Sequence, residues 1–256
     1  MRKPNVLVIA GHDPSGGAGI HADIETIHAL EGFAATLITG LTVQNSQNVF
    51  GFEMVGTDLL RRQADALLAD MDFGAVKIGM TGSPAVVALI AEVLDRLPGV
   101  PVVLDPVLAA EAGGSLSEGD TLVSALIRDL LPRSRLITPN LEEALTLSGQ
   151  PGLHEAGPEL VRQGTPATLI TGSQDDTTDV HNHLFTGEGH RSWSWPRLRG
   201  AFHGSGCTLA SAIAMGLAEG RALEDALELA QRFVQTSLEH AWAAGRGQLI
   251  PDRHVR

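Results

Sequence analysis

The sequence is poor in several features that normally define a class of protein. Its single cysteine, Cys207, excludes an internal disulfide and a zinc site built from cysteines. No apolar run in the 256 residues approaches the ~20 residues that a membrane-spanning helix needs. No secretory signal is recognised at the amino end. We therefore expect a cytoplasmic protein that does not contact a membrane.

Positive charge is also scarce. Eighteen lysines and arginines stand against 30 aspartates and glutamates, which leaves a net charge of −12. Proteins that bind nucleic acids through their phosphates need the opposite sign, so that class is not expected. The chain has only two lysines, Lys3 and Lys77. A phosphorylated ligand would therefore be held locally, by glycine amides, a helix N-terminus, a metal ion or one placed cation.

Short apolar runs alternate with helical patterns along most of the chain. Runs bounded mostly by Gly, Pro or Asp predict strands buried on both faces at residues 6–10, 34–39, 75–78, 102–104, 136–137 and 168–170. Apolar residues at helical spacing predict helices near residues 18–30, 59–68, 86–97, 117–131, 207–219 and 223–241. This alternation predicts an α/β protein with a mainly parallel central sheet and helices on both faces.

Residues 181–195 differ from the rest of the chain and predict a hairpin, with the turn at residues 186–189. Such a hairpin would complete the parallel sheet with antiparallel edge strands. His181 and His183 would share one strand face, as a metal pair does, but no third ligand is evident and a solvated hairpin is favoured. No repeat or linker is found, so residues 1–256 are predicted to form one domain.

Two glycine-rich segments are candidates for binding an anion. The first glycine loop, residues 11–19, stands between a predicted strand and a predicted helix. The second glycine loop, residues 204–208, opens another helix. Glycines let backbone amides approach a ligand closely, and a helix start favours negative charge. Neither segment matches the dinucleotide-binding or P-loop pattern, so both of those functions are excluded.

Cys207 lies in the second glycine loop, in the first turn of the predicted helix. The helix field there is expected to lower the thiol pKa from its reference of about 8.5. A lone cysteine is otherwise most often a small buried apolar residue. Its place in an anion-binding loop favours a functional thiol over that alternative.

Five ordered motifs give the chain a close resemblance to hydroxymethylpyrimidine/phosphomethylpyrimidine kinases. They lie at residues 10–23, 77–80, 104–107, 138–144 and 203–209. The resemblance implies a ribokinase-like, three-layer α/β/α fold. It also implies phosphorylation by ATP and Mg²⁺ of 4-amino-5-hydroxymethyl-2-methylpyrimidine, and of its monophosphate, in thiamine biosynthesis. Relatives are commonly dimers, so a homodimer is expected.

The resemblance assigns roles on the phosphate side of the site. The amides of Gly204, Ser205 and Gly206 would hold the migrating phosphoryl group as an anion hole. Cys207 stands where related sugar kinases carry an aspartate base, so it would accept the alcohol proton or orient the alcohol.

The same resemblance assigns the nucleotide and metal side. Asn140 and Glu143 match an Asn-x-x-Glu motif that organises Mg²⁺ and the nucleotide phosphates, and Asp105 would assist as a metal ligand. Asn140 and Glu143 also have the spacing of a helix cap, and both roles are compatible.

For the pyrimidine, the resemblance implies a pocket that includes Gly11, Asp23, Gln44 and Met80. Gln44 carries a donor and an acceptor, which match the edge of an aminopyrimidine. The alternatives are a loop glutamine that meets only water, a solvated acid at Asp23 and a core methionine at Met80.

Thr171 departs from the family pattern. Many relatives have Lys-Gly-Gly at this point, and here residues 171–173 read Thr-Gly-Ser. A threonine can hydrogen bond to a phosphate but supplies no charge, which leaves more neutralisation to Mg²⁺ and backbone dipoles. Lys77 is not assigned the missing role, because the family places its motif near the substrate.

Two other functions remain open on the sequence. Pyridoxal or pyridoxine is also a flat heteroaromatic alcohol, so the chain could be a kinase for that vitamer. The absent lysine also keeps open a non-catalytic protein that binds the vitamin. Gln44 favours the pyrimidine, and intact residues 204–207 favour an enzyme.

Overall fold

The computed structural model describes residues 3–108, 116–172 and 178–255, with no side chains at residues 116–120. Its nine strands are β1 (Asn5–His12), β2 (Phe33–Gln44), β3 (Val49–Met54), β4 (Ala75–Ile78), β5 (Val102–Leu104), β6 (Leu136–Ile137), β7 (Ala167–Ile170), β8 (Asp179–Thr186) and β9 (Gly189–Pro196). The α-helices of the described residues are α1 (Gly19–Ala29), α2 (Thr57–Asp70), α3 (Pro84–Leu94), α4 (Leu116–Ala125), α5 (Leu141–Ser148), α6 (Leu153–Arg162), α7 (Ser205–Ala218) and α8 (Leu223–Glu239).

The strands form one sheet in the order β3-β2-β1-β4-β5-β6-β7-β8-β9. The six strands from β2 to β7 in this order run parallel, whereas β3, β8 and β9 pair antiparallel at the two sides. The mainly parallel sheet is confirmed. The hairpin is confirmed as well, with Thr186 opposite Gly189 at its turn.

Residues of β1 alternate between the two faces of the sheet. Leu7 and Ile9 pack in the core that includes α2, α3, α5 and α6, whereas Val6, Val8 and Ala10 pack in the core that includes α1, α7 and α8. Burial on both faces explains why β1 is a continuous apolar run rather than an alternating one. The three-layer α/β/α prediction is therefore confirmed.

β3 and α6 were not predicted from the sequence, and of α5 only the cap was predicted. β3 alternates partly buried and exposed residues and contains Gly51, so no continuous apolar run marks it. α5 and α6 have only 8 and 10 residues, and Pro158 lies inside α6. The residues predicted as one helix at 117–131 form α4 and a π-helical turn, Leu126–Leu130.

Parallel strands place their carboxyl ends at one edge of the sheet, which is where open α/β sheets bind ligands. Asp105 directly follows β5, Thr171 directly follows β7, and Met80 and Asn140 lie two or three residues beyond β4 and β6. The fold therefore gathers four predicted site residues. Among the described residues, no helix is long and apolar enough to cross a membrane.

Candidate active site

The first glycine loop is built around the carboxylate of Asp13, which is almost fully buried. Its Oδ1 accepts hydrogen bonds from the Ser15 amide at 2.8 Å and the Ser15 hydroxyl at 2.7 Å, and its Oδ2 accepts from the Ala18 amide at 2.9 Å. His203 Nε2 lies 2.8 Å from the same Oδ2. Burial alone would raise the pKa of Asp13, but His203, Ser15 and Ala18 together hold that pKa well below its usual range.

Asp13 therefore ties the first glycine loop to the residue that precedes the second. Sequence reasoning gave Asp13 no role, although an Asp two residues before a Ser is typical of a side-chain turn. His203, to which the sequence analysis gave no role either, is a partner of Asp13.

The second glycine loop begins at Gly204, whose φ of +84° lies in the left-handed region. A Cβ atom there would lie 2.0 Å from the carbonyl oxygen of Gly17. Only glycine lets the two loops approach so closely. No side chain caps the start of α7, so its first amides, which include those of Ser205 and Gly206, remain available to an anion.

A cavity of about 350 Å³, here called the inner cavity, lies between the two glycine loops and the end of β2. A Cβ atom at Gly11 would lie 2.9 Å from Met80 Sδ, so the glycine lets Met80 close over this part of the wall. The predicted site residues on the wall of the inner cavity are Gly11, Gln44, Met80, Asn140, Glu143 and Cys207.

A second cavity of about 250 Å³, here called the outer cavity, lies on the other side of Phe202. Phe202 lines both cavities, so the two cavities are neighbours. Trp195 lines the outer cavity and donates from Nε1 to Gln231 Oε1 at 3.0 Å. The predicted site residues on its wall are Thr171, Ser205 and Gly206. The start of α7 thus contributes to both cavities.

Asp23 is placed differently from the sequence expectation. It does not line the inner cavity, and its fully buried Oδ1 lies 2.8 Å from Lys77 Nζ. The hydroxyl of Ser211 on α7 donates to the same Oδ1 at 2.7 Å. The expected direct contact of Asp23 with the pyrimidine is therefore wrong in this structure, where Lys77, not Asp23, reaches the cavity wall.

Lys77 is a fully buried cation that sequence reasoning did not assign. Burial would lower its pKa, but the carboxylate of Asp23 and the neighbouring Cys207 and Asp105 outweigh this effect and raise it. The signal was present, since Lys77 is a lysine inside the apolar strand β4. A charged residue in such a strand is rarely buried without a partner.

The lowered pKa that the sequence predicts for the Cys207 thiol is wrong. Burial raises the pKa of its thiol to about 12, although Lys77 and the Gly19 amide favour the thiolate. Loss of hydration therefore outweighs the helix field. Cys207 lies near Asp105, which directly follows β5, and its proximity lowers the pKa of that carboxyl. At neutral pH the group that faces the inner cavity is a neutral thiol.

Asn140 and Glu143 form the capping box of α5. Asn140 Oδ1 accepts from the Glu143 amide at 2.8 Å, and Glu143 Oε2 accepts from the Asn140 amide at 2.9 Å. The cap that the spacing predicts is confirmed. Burial and the neighbouring Asp105 raise the pKa of Glu143 to about 7.

Asp105 and Glu143 are the two carboxylates that suit a divalent cation. Burial raises the pKa of Asp105 to about 6, despite the opposing effect of Lys77. A cation would stabilise both carboxylates in their charged forms, so the pair fits Mg²⁺. The described residues contain no group of three such side chains arranged for a metal. Water and nucleotide phosphates would therefore complete the coordination shell, as is usual for Mg²⁺.

Thr171 lies beside the capping box. Its amide donates to Pro139 O at 3.0 Å, and it forms an isolated parallel bridge with Asn140. Its side chain lines the outer cavity next to Gly172. Ser173, the last residue of the altered motif, lies outside the described residues.

Two cavities that share the start of one helix, on a mainly parallel sheet, define a small-molecule kinase with a ribokinase-like fold. The phosphomethylpyrimidine kinase family model matches residues 13–252. The chain belongs to this family.

Its relatives agree with this assignment. The chain is 36% identical over 242 residues to the hydroxymethylpyrimidine/phosphomethylpyrimidine kinase of Rhizobium meliloti. This match covers 92% of this chain and 90% of that protein. The Escherichia coli kinase of the same name is also 36% identical, with 94% and 93% covered. The chain spans about half of a thiamine biosynthetic bifunctional enzyme of rice, with 48% of it covered at 35% identity.

Solved structures show the same fold. A phosphomethylpyrimidine kinase of Clostridium difficile superposes with a TM-score of 0.78 at 31% identity, covering 92% of this chain and 100% of that one. An ADP complex of Bacillus subtilis pyridoxal kinase superposes with a TM-score of 0.91 at 27% identity, covering 98% and 97%.

Proposed function

We propose that this kinase transfers the γ-phosphoryl group of ATP to the hydroxymethyl group of 4-amino-5-hydroxymethyl-2-methylpyrimidine. It then phosphorylates the resulting monophosphate to the diphosphate, in thiamine biosynthesis. The observation that carries the proposal is the placement of the start of α7, with Cys207 on the inner cavity and Ser205 and Gly206 on the outer one. A phosphoryl group held by those amides would lie between an alcohol and a nucleotide.

The inner cavity supplies contacts that suit the pyrimidine. Gln44, at the end of β2, presents both a donor and an acceptor to an aminopyrimidine edge. Met80 and Phe52 supply apolar wall on which a flat ring packs. The 5-hydroxymethyl group is then directed at Cys207.

Cys207 acts in this proposal as an orienting group and a proton carrier rather than as a preformed thiolate. With its S–H turned to the nearby Asp105, a sulfur lone pair is free for the hydroxyl of the alcohol. As the bond from the alcohol oxygen to phosphorus forms and the bond from phosphorus to the ADP oxygen breaks, the alcohol proton passes to Sγ and the thiol proton passes to the carboxylate of Asp105.

The outer cavity is assigned to the nucleotide. Glu143, on the wall of the inner cavity, and Asp105 would hold Mg²⁺, which would neutralise charge on the phosphates that extend from the nucleotide toward the alcohol. Thr171 and the amides of the second glycine loop face the same phosphates. Trp195, fixed by Gln231, forms part of the wall.

We expect a preference for the pyrimidine over pyridoxal, because Gln44 complements an amino group that pyridoxal lacks. The measurement is coupled ADP release with hydroxymethylpyrimidine, its monophosphate and pyridoxal, each with Mg²⁺ and with EDTA. The expected result is a higher kcat/KM for hydroxymethylpyrimidine and no turnover in EDTA. A kcat/KM for pyridoxal that equals or exceeds it would contradict the preference.

Pyridoxal phosphorylation is the second candidate function. Pyridoxal kinases of Bacillus subtilis and Staphylococcus aureus superpose on the chain with TM-scores of 0.91 and 0.90. These values exceed the 0.78 of the Clostridium difficile phosphomethylpyrimidine kinase. The same assay decides between the two alcohols. A non-catalytic vitamin-binding protein would bind one of them in calorimetry without releasing ADP.

Thr171→Lys tests the missing phosphate-binding charge. The side chain lines the outer cavity, so an ammonium there would reach the nucleotide phosphates. We expect the KM for ATP to fall about 3- to 10-fold, as is reasonable for one added charge contact. Thr146→Lys, on the exposed face of α5, adds the same charge outside the cavity and is the matched control. An unchanged or higher KM for ATP in Thr171→Lys would show that another group already neutralises the nucleotide phosphates.

We also propose a homodimer that covers the β2–β3 hairpin. Leu41, Val43 and Phe50 are large apolar side chains that this hairpin leaves exposed. Sedimentation of the wild type is expected to show a dimer, and Val43→Asp to show a monomer. Leu59→Asp, at another exposed apolar position, on α2, is the control that should remain dimeric. A monomeric wild type at micromolar concentration would refute the proposal.

A further inference from the structure

Among the described residues, Arg253 has the largest of the fully buried side chains. It lies in the segment that follows α8. This segment runs beside the approach to the second glycine loop. The Leu249 amide donates to Ala201 O at 2.8 Å, and the His203 amide donates to Leu249 O at 2.9 Å. The backbone therefore holds Arg253 close behind the start of α7.

Three nitrogen atoms of the Arg253 guanidinium each donate a hydrogen bond to a different residue. Its Nη2 donates to Gly17 O at 2.5 Å, and its Nε donates to Thr208 Oγ1 at 2.9 Å. Its Nη1 lies 3.0 Å from Glu25 Oε2, which balances the buried charge. A planar guanidinium with fixed donor directions sets the relative positions of its acceptors, which a lysine cannot do.

Two of these acceptors belong to different glycine loops. Gly17 lies in the first loop, directly before Ala18 and Gly19 on the wall of the inner cavity. Thr208 lies in the first turn of α7, and its hydroxyl donates to Gly204 O at 2.8 Å while it accepts from Arg253. One side chain thus joins the loop beside the alcohol to the loop beside the phosphoryl group.

We propose that Arg253 is a positioning residue for phosphoryl transfer, which fixes the first glycine loop against the second. The inference rests on the proposed function. Arg253 lines neither cavity, so it acts through Gly17 and Thr208. Misplacing reacting groups by about 1 Å costs about 10²-fold in rate, so a loosened contact between the loops lowers turnover more than binding.

The test is Arg253→Ala, assayed with whichever alcohol the wild type phosphorylates. We expect kcat to fall about 10- to 100-fold, while the KM values for ATP and alcohol change less than about 3-fold. Guanidinium chloride at a few millimolar, far below denaturing concentrations, is expected to restore part of the lost kcat. Arg232→Ala, an exposed arginine on α8, is the matched control and should show neither the loss nor the rescue.

Two further variants keep the inference testable if Arg253→Ala does not fold. Arg253→Lys keeps the positive charge but loses the planar guanidinium with its fixed donor directions. Thr208→Val keeps the side-chain volume but loses the hydroxyl. Both are expected to melt near the wild type and to have reduced kcat. A folded Arg253→Ala protein with wild-type kcat would overturn the inference. So would a loss of kcat that equals, in every variant, the fraction of protein that is unfolded.

The activity of the wild type distinguishes failure of the proposed function from failure of the role inferred for Arg253. If the wild type phosphorylates none of the tested alcohols, the proposed function fails. Hydrogen exchange then tests Arg253, with faster exchange expected at the amides of both glycine loops in Arg253→Ala. Unchanged exchange in both loops would contradict the positioning role.

Discussion

Cys207→Ala is expected to lower kcat for hydroxymethylpyrimidine by about 10²–10⁴-fold, the usual effect of removing a positioned proton acceptor. Alanine leaves the alcohol without a partner on the inner cavity wall and removes the thiol through which its proton would pass to Asp105. Binding of the pyrimidine is expected to stay near that of the wild type, because Gln44 and Met80 are unchanged. Calorimetry and steady-state kinetics separate the two quantities.

Cys207→Ser is the matched variant, because a hydroxyl can carry the same proton from the alcohol to Asp105. We expect Cys207→Ser to retain more turnover than Cys207→Ala. If Cys207 only packs against the ring, alanine would weaken pyrimidine binding and leave turnover at saturation almost intact. That outcome would remove Cys207 from the mechanism.

Lys77→Met is expected to lower the free energy of unfolding by about 3–5 kcal/mol, the usual cost of removing one partner of a buried ion pair. Both side chains of the Lys77–Asp23 pair are fully buried, and Asp23 Oδ2 has no hydrogen-bond partner in the structure. Methionine would leave the Asp23 charge uncompensated. Urea unfolding monitored by circular dichroism measures the loss.

Lys77→Met/Asp23→Asn is expected to recover most of that stability, because it removes both charges together. Turnover of the double variant should remain about ten-fold or more below the wild type, since the cation on the wall of the inner cavity is lost. Arg61→Met breaks an exposed pair with Glu92 and is the control, with little change expected in the urea midpoint. A double variant with wild-type kcat would show that Lys77 serves stability alone.

The amino-acid sequence by itself determined the parallel core of the fold. Strands buried on both faces must be apolar throughout, so β4, β5 and β6 were predicted with the bounds that the structure has. The glycine loops were predicted for a similar local reason, because backbone that binds an anion at a helix start needs small residues. The cap of α5 also lies within four consecutive residues and needs no tertiary information.

Only the tertiary structure decided which charges are buried together and what they do to one another. Asp23 lies 54 residues from Lys77, Asp13 lies 190 residues from His203, and Gly17 lies 236 residues from Arg253. No local pattern in the sequence contains such pairs. The thiol of Cys207 shows the consequence, since the helix start predicted a lowered pKa and burial raises it. Hydration is lost to neighbours that the sequence does not specify, and these neighbours determine the protonation state of the site.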